Sequence, residues 1–397
     1  MNQAFEEKYP PAGQAGLRKL RILVAPLDWG LGHATRCIPV IQELLRQNCE
    51  VWMAAEGAQE TLLKQEFPQL SCLSLKGYRI KYGHSANGMA LNIFGQTRKI
   101  LQAIKQENDW LKEMVKKHNF DAVISDNRYG LHHNKIPCVF TTHQLYIKSP
   151  LGKWAESLLQ KKNYSYINRF TECWVPDDGG ENNLAGELSH PQKKPAIPLR
   201  YIGPISRFEN LNDTPHSQTG DDAGDKDHLL VILSGPEPQR NILENKIIND
   251  IVHYAGTATI VRGLPEAATI IPSTNSIKFY NHLSAEEVNK EMNKAEYIIS
   301  RSGYSTVMDV TKLQKKSIFI PTPGQTEQEY LAKYLQDKNI AVSISQNSFS
   351  LSSALQSAKT FSYSVYNIKN KNKLQQIISQ FVQSSDRSHL SSSPALG

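Results

Sequence analysis

The chain contains 397 residues, of which 40% are hydrophobic and 21% are charged, and these values predict a globular protein with two domains. Its formal charge of +7 falls well short of the clustered positive charge of a dedicated nucleic-acid-binding protein, which excludes nucleic acid as the expected partner. The five cysteines are scattered, without the spacing of a zinc site, so we expect reduced thiols. No apolar run approaches the roughly 18 residues that span a bilayer, and the first residues do not resemble a signal peptide, so we expect a cytoplasmic protein.

The chain begins with a segment, residues 1–19, that has no apolar periodicity and is expected to be a mobile tail. A buried strand is predicted at residues 21–26, and it leads through a turn with Gly30 and Gly32 into a helix. Strand, glycine turn and helix in this order form the first unit of a Rossmann-like domain. The turn lacks the third glycine of the dinucleotide fingerprint, so it does not by itself indicate a NAD site.

His33 stands on this glycine turn and is the candidate catalytic residue of the first domain. At the carboxyl end of the first strand, its side chain would project into a cleft, where an imidazole accepts a proton near neutral pH. The alternative is a hydrogen-bonding role at the start of the helix.

The rest of the first domain, predicted at residues 20–205, alternates strands with helices, which indicates a parallel sheet. Asp126 and His143 each follow a predicted strand, so both would lie on the sheet edge that carries His33. Asp126 then orients His33 or an acceptor hydroxyl, and His143 binds the acceptor or caps a helix.

A segment rich in Asp, Gly, Ser, Thr and Pro, residues 206–227, is predicted to link this domain to a second one at residues 228–365. The second domain repeats the order of strand, glycine turn and helix, with Gly235 in the turn. A last helix is predicted at residues 366–383, and a disordered tail at residues 384–397.

Residues 300–309, Ser-Arg-Ser-Gly-Tyr-Ser-Thr-Val-Met-Asp, follow a short apolar strand and continue as a helix. Such a turn presents free backbone N–H groups and the positive end of a helix dipole, which together suit a phosphate. Gly303 lets an anion approach the backbone, and Asp309 is placed to accept two hydrogen bonds from a ribose diol. The hydroxyl donors on the same turn are Ser302, Ser305 and Thr306. The alternative is an ordinary serine-capped helix.

The next strand, predicted at residues 316–320, also ends in a loop that leads into a helix. Its end lies on the same carboxyl edge of the sheet, where open α/β sheets bind ligands. Glu327 and Gln328 occupy the first turn of that helix, where they hydrogen-bond sugar hydroxyls or simply favour the helix N-terminus.

These residues resemble the nucleotide-sugar half of the MurG-type glycosyltransferases, the family that includes the enzyme adding N-acetylglucosamine to the peptidoglycan lipid carrier. The resemblance rests on the run Arg301-Ser-Gly-Tyr-Ser-Thr followed by Asp309, and on Pro321 followed by Glu-Gln-Glu-Tyr at residues 327–330. It implies a GT-B architecture: an α/β protein with two Rossmann-like domains, a nucleotide sugar in the cleft between them, and a last helix that crosses back to the first domain. The family often has Glu at the position of Asp309 and a Gln-Gln pair where this chain has Gln-Glu, so the identity of the sugar stays open.

The resemblance also implies roles for individual residues. In the family, the loop after the strand at residues 277–280 holds the base by backbone contacts, which would place uracil beside His282 and Leu283. Arg262 is a possible counter-charge for the pyrophosphate. The candidate donor-binding residues are Gly32, Gly235, Arg262, His282, Leu283, Ser302, Gly303, Ser305, Thr306, Asp309, Glu327 and Gln328.

The sequence and the resemblance together predict an inverting, metal-independent glycosyltransferase that moves a hexosyl group from a UDP-sugar to an unidentified acceptor. Helix N-termini and hydroxyls would supply the phosphate ligands, and no Asp-x-Asp pair is placed to hold a metal, so no cofactor beyond the UDP-sugar co-substrate is expected. The alternative is a UDP-sugar hydrolase, because the turn at residues 30–36 is at least as similar to the Gly-x-Gly-His-x-x-Arg turn of those enzymes, in which the His is the proposed catalytic residue. A nucleotide-sugar sensor without catalysis is the third hypothesis.

The acceptor is expected to be a glycan, a lipid-linked molecule or a small molecule, and one basic stretch bears on this choice. Its basic side chains are Lys148, Lys153, Lys161, Lys162 and Arg169, interleaved with Trp154, Leu158 and Leu159. A basic helix with an aromatic side chain at its start can rest on an anionic membrane, here at its inner face, although a solvated helix face is the commoner outcome.

Overall fold

The structure is a computed structural model that describes residues 18–78, 97–208, 228–265, 267–367 and 372–391. The strands are β1 (Arg21–Pro26), β2 (Glu50–Ala55), β3 (Cys72–Ser74), β4 (Ala122–Asp126), β5 (Cys138–Thr141), β6 (Glu172–Val175), β7 (Leu199–Tyr201), β8 (His228–Ile232), β9 (Thr257–Val261), β10 (Ile277–Tyr280), β11 (Tyr297–Ser300), β12 (Lys316–Phe319) and β13 (Val342–Ser343). The helices are α1 (Leu31–Arg46), α2 (Gly57–Glu66), α3 (Thr97–His118), α4 (Lys153–Ile167), α5 (Gln239–Ile251), α6 (Ala285–Lys294), α7 (Tyr304–Lys312), α8 (Thr326–Asp337), α9 (Leu351–Thr360) and α10 (Lys373–Ser391).

Two parallel sheets divide the chain into two domains with the same strand order. The first sheet has the order β3-β2-β1-β4-β5-β6-β7, and the second has the order β10-β9-β8-β11-β12-β13. If the strands of each domain are numbered from its own start, both sheets begin with the order 3-2-1-4, which is that of a Rossmann-like fold. The predicted α/β architecture with two Rossmann-like domains is confirmed.

The apolar runs of the central strands explain why both sheets are covered on both faces. Ile22, Leu23 and Val24 in β1 are fully buried, as are Leu230 and Val231 in β8. Continuous burial of successive residues, which point to opposite faces of a strand, requires helices on both sides of the sheet. Each domain therefore presents its polar residues mainly at the strand ends.

An apolar cluster continues from the first domain into the second. It contains Ile38 and Ile41 of α1, Val307 of α7 and Ile377 of α10. The indole ring of Trp174 in β6 also packs edge-on against the ring of Phe381 in α10, with 5.4 Å between the ring centroids. The last helix thus packs on the first domain.

Three segments differ from the expected boundaries. Residues 384–391, expected in a tail, continue α10, because Ser385 is buried and its hydroxyl donates to the carbonyl of Phe381. Ser206 and Phe208, expected in a linker, are also buried. Arg18, expected in the N-terminal tail, donates to Asp121 at 2.9 Å. The rest of the predicted linker, residues 209–227, lies outside the described residues, as do residues 1–17 and 392–397.

Within the described residues, no helix combines the length and the apolar character that a membrane crossing requires.

Candidate active site

His33 and Asp126 form a hydrogen-bonded pair at the carboxyl edge of the first sheet. His33 lies in the first turn of α1, and its Nδ1 is 2.6 Å from Oδ1 of Asp126 at the end of β4. Nη2 of Arg36 also lies 2.8 Å from this Nδ1, but the closer carboxylate can only accept. We therefore assign the proton to Nδ1, so that Nη2 donates to Asp126 and Nε2 presents a lone pair. Among the described residues, Nε2 has no hydrogen-bond partner, and the side chain is 14% exposed. The pair therefore has the geometry of an oriented general base.

Arg36, which the sequence analysis did not single out as a site residue, holds this pair. Its Nη2 donates to Oδ1 of Asp126 at 2.6 Å, and its Nε donates to Oδ2. The third nitrogen, Nη1, lies 3.2 Å from Nδ1 of His143. The signal in the sequence was the spacing, because residues three apart lie on the same face of a helix.

The charges around the pair keep His33 neutral and Asp126 ionised. Burial lowers the pKa of His33, and the Arg36 charge lowers it further against the attraction of Asp126. Burial alone would raise the pKa of Asp126, but the charge of Arg36 and the hydrogen bonds from His33 and Arg36 outweigh it, and the pKa of that carboxyl falls below its usual value. At neutral pH the imidazole is free to take a proton.

His143 connects the first domain to the second. Since a guanidinium only donates, Nδ1 of His143 accepts from Arg36, and its Nε2–H donates to Oε1 of Glu327 at 2.7 Å. The amide of Gln144 donates to the other oxygen of Glu327. The imidazole of His143 also stacks on the ring of Tyr304, with 4.2 Å between centroids and 11° between planes. Two predicted site residues, one from each domain, are thus in direct contact.

The start of α7 faces the glycine turn of the first domain. The hydroxyl of Ser305 donates to the carbonyl of Gly32 at 2.7 Å, and Tyr304 OH donates to the carbonyl of Pro176 at 2.8 Å. Gly303 is the N-cap of α7, and no atom lies within 4 Å of the position that a Cβ would take there. The helix N-terminus therefore remains accessible at Gly303, beside the loop that carries His33.

Asp309 is bonded to the segment that follows the first domain. Ser206 donates to its Oδ1 at 2.7 Å, and Nε of Arg207 lies 3.4 Å from its Oδ2. Burial raises the pKa of Asp309 against the opposing effects of Arg207 and Ser206. Burial and the charge of Arg207 also lower the pKa of His282. Neither Ser206 nor Arg207 was among the predicted site residues.

Among the residues that the structure describes, two buried polar atoms at the strand ends of the second domain have no hydrogen-bond partner, namely Nε of Arg301 and Oγ1 of Thr322. The other nitrogens of Arg301 donate to neutral oxygens, including the carbonyls of Ile320 and Gln239, and burial lowers its pKa to about 10. Oγ1 of Thr322 lies 3.5 Å from the Cβ position of Gly235, whose φ of 104° favours glycine. A buried cation with one unpaired N–H and a buried hydroxyl without a partner fit an anionic group at this edge.

Other predicted donor-binding residues have partners within the second domain. Arg262 is held by Glu244 at 2.6 Å and by Asn281 at 2.7 Å, so its charge is neutralised there. Leu283 is buried in the core, which leaves its backbone for contact with a base. Ser302 donates to the carbonyl of Gln328 at 2.8 Å, and the Gln328 amide oxygen accepts from Thr322 N–H at 2.9 Å. Thr306 is half-buried on the first turn of α7.

One face of α4 and the turn before it expose apolar side chains. Trp154 is 66% exposed, Leu158 is 59% exposed and Leu151 is 47% exposed. Lys161 and Lys162 are exposed on the next turn, whereas Lys148 is bonded to Glu187 at 2.5 Å. We call Leu151, Trp154, Leu158, Lys161 and Lys162 the α4 face.

Comparison with known proteins identifies the class of protein. Residues 272–385 match the glycosyltransferase family 28 C-terminal domain. The UDP-N-acetylglucosamine--N-acetylmuramyl-(pentapeptide) pyrophosphoryl-undecaprenol N-acetylglucosamine transferase of Gloeothece citriformis is 22% identical over 348 residues, 82% of this chain and 83% of that protein. The enzyme of the same name from Haemophilus ducreyi is 22% identical over 343 residues, 82% of this chain and 85% of that protein.

Solved structures show the same fold. The glycosyltransferase SnogD from Streptomyces nogalater superposes with a TM-score of 0.56 at 12% identity, over 93% of this chain and 95% of that one. This likeness confirms the predicted GT-B architecture. The chain is a glycosyltransferase with the GT-B fold that is similar to the MurG-type enzymes, and residues 272–385 in its second half match the family 28 C-terminal domain.

Proposed function

We propose that the protein transfers a hexosyl group from a UDP-sugar to an acceptor hydroxyl, with inversion and without a metal ion. The observation that carries this proposal is the His33–Asp126 pair, which follows the glycine turn that Ser305 of α7 contacts through the carbonyl of Gly32. His33 takes the proton from the acceptor oxygen, which bonds to the anomeric carbon while the bond from that carbon to UDP breaks. UDP leaves with the electron pair of that bond, and single displacement inverts the anomeric centre.

The second domain would hold the leaving UDP without a metal ion. The backbone at Gly303, the buried charge of Arg301 and the hydroxyl of Thr322 together offer donors to a diphosphate. Asp309 would accept from the ribose, the backbone at His282 and Leu283 would contact uracil, and Glu327 with Gln328 would contact the sugar. Titration of UDP into the protein in the presence of EDTA should give binding, and a requirement for magnesium or manganese would contradict the metal-free part of the proposal.

The role of His33 is tested by His33→Ala. Turnover should disappear while the Kd for UDP changes by no more than a few-fold, because Nε2 contacts the acceptor rather than the nucleotide. Asp309→Ala should do the reverse and weaken UDP binding by about 1–3 kcal/mol, since a buried hydrogen-bonding partner is lost. Normal turnover by His33→Ala would remove His33 from the mechanism.

Hydrolysis of a UDP-sugar is the second candidate function, and the residues at 30–36 favour it. They match the Gly-x-Gly-His-x-x-Arg turn of the UDP-sugar hydrolases, and the Arg36 of this turn is buried against the proposed base. Incubation of the protein with a panel of UDP-sugars and no acceptor separates the two functions. Release of free sugar at roughly 1–10³ per second indicates hydrolysis, and slow release with tight UDP binding indicates a transferase.

A lipid-linked acceptor is the finer proposal for the transferase. The names of the Gloeothece and Haemophilus relatives include a pyrophosphoryl-undecaprenol, and the α4 face gives this chain exposed apolar and basic groups in the acceptor-side domain. Exposed apolar side chains with nearby lysines bind anionic bilayers reversibly, at about 1 kcal/mol per basic residue near the surface.

Co-sedimentation with liposomes of phosphatidylglycerol at low and high salt tests membrane contact. The protein should pellet at low salt, and the double variant Trp154→Ala, Leu158→Ala should not. A matched control is Val252→Ala with Ile270→Ala in the second domain, because these apolar side chains are also highly exposed, at 70% and 76%. No pelleting of the unchanged protein at low salt would leave the acceptor soluble.

A further inference from the structure

We propose that Arg36 is a positioning residue that fixes the orientation of the His33–Asp126 base and links it to the contact between the two domains. This inference rests on the proposed role of His33 as the base. Arg36 would touch neither the sugar nor the acceptor. It would act through Asp126, through His143 and through its own contact with the His33 ring, where Nη2 lies 2.8 Å from Nδ1.

The first step is the geometry of the carboxylate. Arg36 donates to both oxygens of Asp126, through Nη2 at 2.6 Å and through Nε. A planar guanidinium that binds a carboxylate in this bidentate manner fixes both its distance and its plane. The oxygen that faces His33 is thereby fixed, and with it the ring orientation and the tautomer that leaves Nε2 unprotonated.

The second step is the link to the other domain. Nη1 of Arg36 fixes the tautomer of His143, and the N–H on the far side of that ring then points at Glu327 of α8. Glu327 is a proposed contact of the donor sugar. Two buried side chains, Arg36 and His143, each 4% exposed, therefore connect the base to the donor-side carboxylate across the cleft.

Arg36 also sets the charge around His33. The ionisable groups that face His33 are Arg36 from its own helix, Asp126 from β4, His143 from the loop after β5 and Glu327 from α8. Arg36 is the permanent cation of this set, and it lowers the pKa of His33 and holds Asp126 ionised. Loss of its charge should leave the imidazole harder to deprotonate, because the Asp126 charge would then act without opposition.

The experiment compares Arg36→Gln and Arg36→Lys with the unchanged protein, with kcat/KM measured against pH for whichever UDP-sugar is turned over. A base must be neutral to act, so activity falls as the pH drops through the pKa of His33. This fall is the acid limb of the profile of kcat/KM against pH. In Arg36→Gln the acid limb should move to higher pH, and kcat should fall by roughly 10²-fold or more. Arg36→Lys should return the limb towards its original position and recover only part of kcat, because an ammonium restores the charge without the bidentate geometry.

Two controls separate positioning from simple loss of stability. Arg128→Gln removes an equally buried arginine that is paired with Glu107 at 2.6 Å, and it should lower the free energy of unfolding without moving the acid limb. The Kd for UDP should stay within a few-fold in both Arg36 variants, since the nucleotide binds the other domain.

The proposal is overturned if Arg36→Gln keeps the acid limb and kcat of the unchanged protein, or if Arg36→Lys is indistinguishable from it. If Arg36→Gln does not fold, Arg36→Lys alone decides, through its loss of kcat at an unchanged Kd for UDP. His33→Ala distinguishes failure of the positioning role of Arg36 from failure of the proposed function. If it is inactive while Arg36→Gln is normal, only the positioning role fails, and if it is active, the proposed function fails first.

Discussion

The hydroxyl of Ser206 is hydrogen-bonded to the Asp309 carboxylate, which we expect to bind the ribose, so Ser206→Ala should strengthen UDP binding. The hydroxyl donates to Oδ1 of Asp309 at 2.7 Å, and the two residues are only 1% and 6% exposed. A buried hydrogen bond to a charged group contributes about 1.5–3 kcal/mol. If the ribose must displace this bond, its removal lowers the Kd for UDP by up to about 10- to 100-fold, since about 1.4 kcal/mol corresponds to a factor of ten.

Calorimetric titration of UDP measures this change directly. The matched control is Ser189→Ala, because Ser189 donates to the equally buried Asp177 at 2.6 Å in the first domain and should leave the Kd unchanged. Asp309→Asn in both backgrounds should remove the gain that Ser206→Ala produces. An unchanged or higher Kd for Ser206→Ala would refute the reasoning and show that the nucleotide binds Asp309 without displacing Ser206.

Three further predictions concern stability. Arg128→Met should lower the free energy of unfolding, measured by urea titration, by about 3–5 kcal/mol, because it leaves the Glu107 carboxylate buried without its partner. As a control, Lys112→Ala in the exposed pair with Asp109 should lower it by less than about 1 kcal/mol. The pKa of Asp126 is lowered in the folded protein, so the stability that Asp126 contributes is present above its unfolded pKa near 3.8 and is lost as the pH falls through its folded pKa. Asp126→Asn should therefore reduce the fall in unfolding free energy at acid pH. A double-mutant cycle of His143→Ala and Glu327→Ala should give a coupling energy of about 1 kcal/mol, which is less than a fully buried hydrogen bond to a charged group contributes because the Glu327 side chain is 32% exposed. Zero coupling would mean that the contact does not hold in solution.

The residues that meet in the cleft were largely predictable from one rule. His33, Asp126 and His143 all follow strands of a parallel sheet, and strand ends of such a sheet share an edge. Ser305 and Glu327 follow strands of the second sheet in the same way. The rule also explains why element boundaries were nearly right, since the apolar runs end where the chain leaves each sheet.

The partners of these residues were not predictable, because they depend on contacts between distant parts of the chain. Ser206 and Asp309 meet only after both domains have folded, and no local pattern indicates the pair. Arg262 has the position expected of a phosphate ligand, yet Glu244 from α5 neutralises it. The helical end of α10 was missed because its serines suggest disorder, whereas the burial of Ser385 keeps them helical.

Tyr304 stands in the motif that we propose to bind the nucleotide, but its ring packs against His143 and its hydroxyl donates to the Pro176 carbonyl in the other domain. A chimera that joins this first domain to the second domain of another transferase would therefore need an aromatic residue at this position. A smaller side chain there would leave a void beside His143 and remove the ring that stacks on one face of its imidazole. Exchange of sugar specificity by domain grafting should succeed only when Tyr304 is transferred with the first domain.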